Sequence, residues 1–242
     1  MFYFLLVPLL AYHWILILAA VIPAIFLMVK VYRSDHLEKE SGSLLLSLVG
    51  AGVLSSLLAL VEETVGQLIL GAFVSPDDKL YNVIMFFVVV GLSEESSKYI
   101  FMKRKTWNHP EFNCKYDGVV YALFTSLGFA LWENIMYVLN YGFSTALVRA
   151  VTAIPGHASF GVFCGVFYGL ARQAENQGDT SRSRMFRIIG VVAATIMHGA
   201  YDYLATMEDD RGVLYFFIYM VALFVLAFTT VNKASKNDRF IK

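Results

Sequence analysis

The sequence predicts an all-α fold, a polytopic bundle of about seven transmembrane helices, and three observations predict it. Hydrophobic residues make up 58% of the 242 and charged residues 16%, with 20 Phe and a mean hydropathy of +0.61, a balance too apolar for a water-soluble domain of this size. The apolar residues fall in stretches that reach the roughly 20 helical residues needed to cross a hydrocarbon core of about 30 Å. The Lys and Arg residues gather in alternate loops, as topology signals do. Such a chain holds six to eight spans with short loops and no sizeable soluble domain, so residues 1–242 are expected to form one integral membrane domain. Its 19 basic and 19 acidic side chains cancel, leaving no net electrostatic attraction for nucleic acid.

Continuous apolar stretches broken by polar clusters place the spans near 4–32, 43–70, 80–102, 117–140, 145–171, 186–207 and 212–232. The first lacks the basic start and small-residue cleavage site of a signal peptide and is expected to be retained, with Pro8 breaking or starting its helix. The second exceeds the length needed, so its end beyond Glu62 is expected to lie along the interface. Lys30, Arg33 and Lys39 follow span one; Lys103, Arg104, Lys105 and Lys115 follow span three; Arg172, Arg182, Arg184 and Arg187 follow span five; Lys233, Lys236, Arg239 and Lys242 follow span seven. The opposite loops hold only Lys79 and Arg211. The N-terminus is therefore expected outside and the C-terminus in the cytoplasm, in a multi-pass cell membrane protein of prokaryotic plasma membrane type. Cys114 falls in a basic loop and Cys164 in an apolar stretch, so no structural disulfide is expected.

Ionisable residues at membrane depth cost at least a few kcal/mol each and mark sites or pathways. Span three reads GLSEESSKYI, with Glu94, Glu95 and Lys98; span four carries Glu133 and Asn134; Arg149 and His157 lie in span five; span six reads MHGAYDY, with His198 and Asp202. Glu94 and Lys98 are four residues apart and share a helix face, as do His198 and Asp202. His157 lies four residues before Gly161 in the series Gly161, Gly165, Gly169, while Gly190 and Ala194 continue the face of His198, and Gly91 lies within a turn of Glu94. Small residues mark closely packed helix faces in membranes. The polar residues are therefore expected to face the bundle interior and line a hydrophilic cavity.

Two adjacent carboxylates, a third on another helix and two imidazoles supply a general base for water, a general acid for a leaving amine and donors for an oxyanion. Hydrolysis is the expected chemistry. Lys98 or Arg149 would hold a neighbouring acid ionised. Glu95, His157 and His198 also form a donor set for a divalent metal such as zinc, and the residues leave the two mechanisms open. Neither a HExxH helix nor a Gly-x-Ser-x-Gly elbow is present.

At these residues the chain resembles the PrsW family of intramembrane proteases, related to the CAAX prenyl protease and bacteriocin-processing superfamily. The resemblance rests on Glu94-Glu95-x-x-Lys98, Phe129-x-x-x-Glu133-Asn134, Arg149 followed by His157, and His198-x-x-x-Asp202, in order on successive spans. The superfamily pattern has a histidine where Glu133 stands, and His157 is expected to take its role. The resemblance implies regulated intramembrane proteolysis: site-one cleavage of a single-pass membrane substrate such as an anti-sigma factor. Glu94, Glu95, Glu133, His157 and His198 would be catalytic, Lys98, Asn134, Arg149 and Asp202 supporting, and the water activated by glutamate or metal.

Plainer readings stand beside these. Glu62 and Glu63 are expected to be solvated at the interface, and His13, His36 and His109 to be structural or solvated. Glu94 and Glu95 could form only a structural ion pair with Lys98 or Arg149. A proton-coupled transporter also uses Glu, His and Asp in helices, but no internal repeat is visible in the sequence. A non-catalytic membrane scaffold is the remaining alternative.

Overall fold

A computed structural model describes the chain apart from Met1, Glu208 and Lys242, and describes only the backbone of residues 2–10. The expectation for Pro8 lies outside the described residues. In hydrocarbon every backbone N–H and C=O must be satisfied within its own segment, and the apolar stretches accordingly form long helices: α1 (Phe2–Ser34), α2 (Gly42–Phe73), α5 (Asp117–Tyr141), α7 (Ala153–Asn176), α8 (Thr180–Ala205) and α9 (Asp210–Lys236). Among the described residues, six helical stretches are long and apolar enough to cross a membrane, α7 being joined in this to the short α6 (Phe143–Val151) before it.

The remaining span is a helical run in three pieces. α3 (Lys79–Ile84), a π-helical segment (Met85–Leu92) and α4 (Ser93–Thr106) succeed one another without a break, where the sequence predicts a span over 80–102. No piece alone is long enough to cross, but together they are. The π segment is wider than an α-helix and changes the angular register of the residues C-terminal to it. Those residues begin with Ser93-Glu94-Glu95, the first turn of α4.

α5 is the central helix. It packs against α1, α2 and α7, while α7 also packs against α8 and α9. Residues 117–130 of α5 are buried without interruption. Glycines permit this closeness: a Cβ built on Gly165 of α7 would lie 2.5 Å from the carbonyl oxygen of Gly118 on α5. The series Gly161, Gly165, Gly169 read from the sequence is thus a packing face, applied to α5.

Two points differ from the sequence expectation. The single span expected over 145–171 is broken at Thr152 into α6 and α7. Pro155 explains the break, since it lacks an N–H and its ring cannot follow a preceding helical turn, so a helix must begin just before it. Gly142, at φ +85°, turns the chain from α5 into α6 in a conformation that favours glycine. Together the turn and the break fold α6 back beside the C-terminal part of α5. The second difference is α2, which continues unbroken to Phe73 and carries Glu62 and Glu63 within it, both half-buried. Cys114 and Cys164 are buried free thiols.

Replacing Gly165 by Val should separate α5 from α7 and destabilise the protein by about 1–3 kcal/mol. Gly50→Ala, where a Cβ meets nothing within 4 Å, should be neutral. Thermal unfolding in detergent checks both, and equal stability of the Gly165 variant would contradict the packing described.

Candidate active site

Five helical elements deliver the polar residues to one place. Glu94, Glu95 and Lys98 come from the start of α4, Glu133 and Asn134 from the later part of α5, Arg149 from α6, His157 from the start of α7, and His198 and Asp202 from the later part of α8. All these positions lie toward the end of the bundle opposite the Lys- and Arg-rich loops.

At the centre is the ammonium of Lys98. It donates to Glu94 Oε2 at 3.0 Å and Glu95 Oε1 at 2.8 Å, and lies 3.1 Å from His157 Nδ1. Below it the ring of Phe129 presents its face, with Nζ 4.0 Å from the centroid, a cation–π contact of the kind that strengthens when water is excluded. Glu94, Glu95, Lys98, His157 and His198 are each 5% exposed or less. Removing one partner from such a buried pair leaves an uncompensated charge, at a cost of about 3–5 kcal/mol.

Each imidazole spans two partners. His157 turns Nδ1 to the cluster and Nε2 to Glu133 Oε2 at 3.0 Å. The lysine can only donate, so Nδ1 accepts and Nε2 carries the proton given to Glu133. His198 places Nδ1 2.9 Å from Glu95 Oε1 and 3.6 Å from Glu94 Oε2, with Nε2 3.4 Å from Asp202 Oδ2. Phe160 stacks on the His198 ring at 4.9 Å between centroids and fixes its plane. Glu133 is held in turn by Arg149 Nη2 at 3.0 Å, and Arg149 Nε donates to Asn134 Oδ1 at 2.9 Å. Asn134 Nδ2 donates to the carbonyl of Ala20 in α1, which anchors this chain of contacts to a further helix. The Glu133 and Asp202 side chains are 24% and 22% exposed, so they form the more open edge of an otherwise closed cluster.

A metal fits this donor set. One ligand atom each from Glu94, Glu95, His157 and His198 lies within 4.8 Å of all the others, and two nitrogens with carboxylate oxygens suit zinc. Each histidine also turns its second nitrogen to a carboxylate outside the cluster, the usual support for a metal-bound imidazole. Lys98 already takes three of the four donors, so its ammonium and a metal ion exclude one another from the same spot.

The structure brings together every candidate catalytic and supporting residue named from the sequence, with a division of place. Glu94, Glu95, His157, His198 and Lys98 meet directly, whereas Glu133 stands behind His157 and Asp202 behind His198. The ion pair with Lys98 that a purely structural reading requires is present, but two imidazoles and their outer carboxylates surround it. Sequence reasoning misses the second double glutamate: Glu62 Oε2 accepts from Ser97 Oγ at 3.0 Å, and Glu63 lies within electrostatic reach of Glu94, Glu133 and His198. The signal for it is the run Ser55, Ser56 and Ala59 on the buried side of α2, one to two turns before the two acids.

Residues 40–229 match the family described as PrsW family intramembrane metalloprotease. Protease PrsW of Geobacillus kaustophilus (strain HTA426) is 32% identical over 219 residues, covering 90% of this chain and 92% of the relative. Protease PrsW of Shouchella clausii (strain KSM-K16) is 30% identical, covering 91% and 97%, and that of Bacillus subtilis (strain 168) is 29% identical, covering 90% and 95%. No solved structure matches the chain. With its motifs gathered in one buried cluster of a helical membrane bundle, the chain belongs to the PrsW family of intramembrane proteases.

Proposed function

We propose that this protease hydrolyses a peptide bond of a single-pass membrane protein, such as an anti-sigma factor, at the cluster of Glu94, Glu95, His157 and His198. The observation that carries the reading is that cluster: four donors from three helices, buried together, with each imidazole backed by an outer carboxylate. An ion pair built only for stability needs neither histidine.

The contacts divide the roles. Glu95 Oε1 is committed to Lys98 and to His198, whereas Glu94 Oε2 has Lys98 at 3.0 Å and His198 only at 3.6 Å. Glu94 is thus the carboxylate freer to act as general base. It takes a proton from water as the water oxygen attacks the scissile carbonyl carbon. When the carbon–nitrogen bond breaks, the same group returns the proton to the leaving amine. Lys98 places a buried positive charge where the carbonyl oxygen becomes negative, worth more there than in water. With the Lys98 ammonium displaced, zinc or a similar divalent ion held by Glu95, His157 and His198 would instead supply Lewis acidity to the water and the carbonyl. Glu133 and Asp202 orient the two imidazoles, and Arg149 with Asn134 orients Glu133.

The basic loops mark the cytoplasmic end, so the N-terminus is outside, the C-terminus is in the cytoplasm, and the site lies in the outer half of the membrane. A substrate span would be cut there, near its outer end, with entry at the edge bearing Glu133 and Asp202. The whole chain acts as one membrane domain.

Co-expression with a library of tagged single-pass proteins, together with mapping of the cleaved ends, tests this reading. Cleavage should be present with the wild type and absent with Glu95→Gln at equal membrane levels, and a loss with a membrane-permeant chelator would assign the activation of water to a metal. Unchanged cleavage in the variant would overturn the assignment. Glu133→Gln and Asp202→Asn, which alter only the support of an imidazole, should each lower the cleavage rate about 10–100-fold without removing the protein from the membrane; full activity in both would show that the outer carboxylates do not position the histidines.

A further inference from the structure

At the opposite end of the bundle a second group of acids converges. Asp35 lies just beyond α1, Glu40 directly precedes the N-cap of α2, and Asp117 opens α5. They are 2%, 5% and 1% exposed, and one carboxylate oxygen from each lies within 4.8 Å of the others. Among the described residues none of the three is ion-paired with a basic side chain. Lys39, whose charge acts on Asp35, spends its ammonium on the carbonyl oxygens of Tyr32 and Asp35.

The acids differ in how far they are satisfied. Asp117 Oδ2 accepts from the backbone N–H groups of Asn113 and Cys114, and Glu40 Oε2 accepts from the Tyr121 hydroxyl. Asp35 is different: both its carboxylate oxygens are buried and neither is matched by a hydrogen bond of good geometry, the nearest donors being the backbone N–H groups of Leu37 and Glu38. Asp238 Oδ2 and Asn113 Oδ1, from the adjoining chain, are buried and unpartnered as well. A buried oxygen acceptor left unmatched is costly, and buried like charges are costlier.

We propose that Asp35, Glu40 and Asp117 form a second cation site, for a hard divalent ion of the Ca2+ or Mg2+ class. The donor set is all oxygen, with no nitrogen or sulfur, which selects that class over zinc. Oxygens no more than 4.8 Å apart can all reach one ion, since two Ca–O bonds of about 2.4 Å span at most that distance. The ion would join the end of α1 to the starts of α2 and α5. It is separate in place and chemistry from the Glu and His cluster, and does not depend on the catalytic reading.

The test uses the purified full-length protein after chelation, with Mn2+ as a spin probe and Ca2+ and Mg2+ as competitors. Glu95→Gln, which removes one donor of the other cluster, should still bind one Mn2+ that Ca2+ or Mg2+ displaces; the better competitor identifies the ion. Asp35→Asn, and separately Glu40→Gln, which can keep the Tyr121 bond, should weaken that binding at least tenfold. Absence of any Ca2+-, Mg2+- or Mn2+-binding in the Glu95→Gln protein at millimolar concentration would overturn the proposal, whatever the folding of the other variants. Equal binding in Asp35→Asn would do the same.

Discussion

Lys98 is a buried ammonium in a helix surrounded by apolar residues, and that charge has to be matched where it stands. It is matched by Glu94 and Glu95 from its own helix and by His157 from another. The two carboxylates in turn receive His198 from a third helix. Because an unmatched charge at this depth costs several kcal/mol, the pairing constrains α4, α7 and α8 to meet at one level. A wider frame is built on that level: Glu133 and Asp202 back the imidazoles, and the Arg149, Asn134 and Ala20 contacts tie the frame to α5, α6 and α1.

Small residues make the meeting possible. Gly91 of the π segment sits against the backbone of α8 at Thr195 and Gly199, and Gly165 sits against Gly118. Larger side chains would push apart the helices that carry the charges, and the ion contacts of about 3 Å would open. Packing and electrostatics are therefore coupled here: the glycines bring the helices close, and the charges set their axial level.

Apolar length is enough to give the number and order of the spans, and the small residues a turn away are enough to give the inward faces of Glu94, His157 and His198. Spacing along one helix also names the pairs Glu94 with Lys98 and His198 with Asp202, both present as contacts. Spacing cannot show contacts between helices, so the pairing of His198 Nδ1 with Glu95 and of His157 with Glu133 emerges only in three dimensions. The break at Thr152 is hidden because α6 and α7 are both apolar and only Pro155, in the first turn of α7, signals it. Glu62 and Glu63 look solvated for want of a basic residue on their own helix, since their partners, Ser97 and the charges around Lys98, come from another span. Asp35, Glu40 and Asp117 are invisible as a group because 82 residues separate the first from the last.

The most direct measurement is cleavage of one identified single-pass substrate by the purified protein in proteoliposomes, comparing wild type with Glu94→Gln, Glu95→Gln and His198→Ala at equal incorporation. The account predicts cleavage by the wild type alone, with residual rates in the variants at least a hundredfold lower. Cleavage by any of the three at the wild-type rate would contradict the placement of the hydrolytic centre at this cluster.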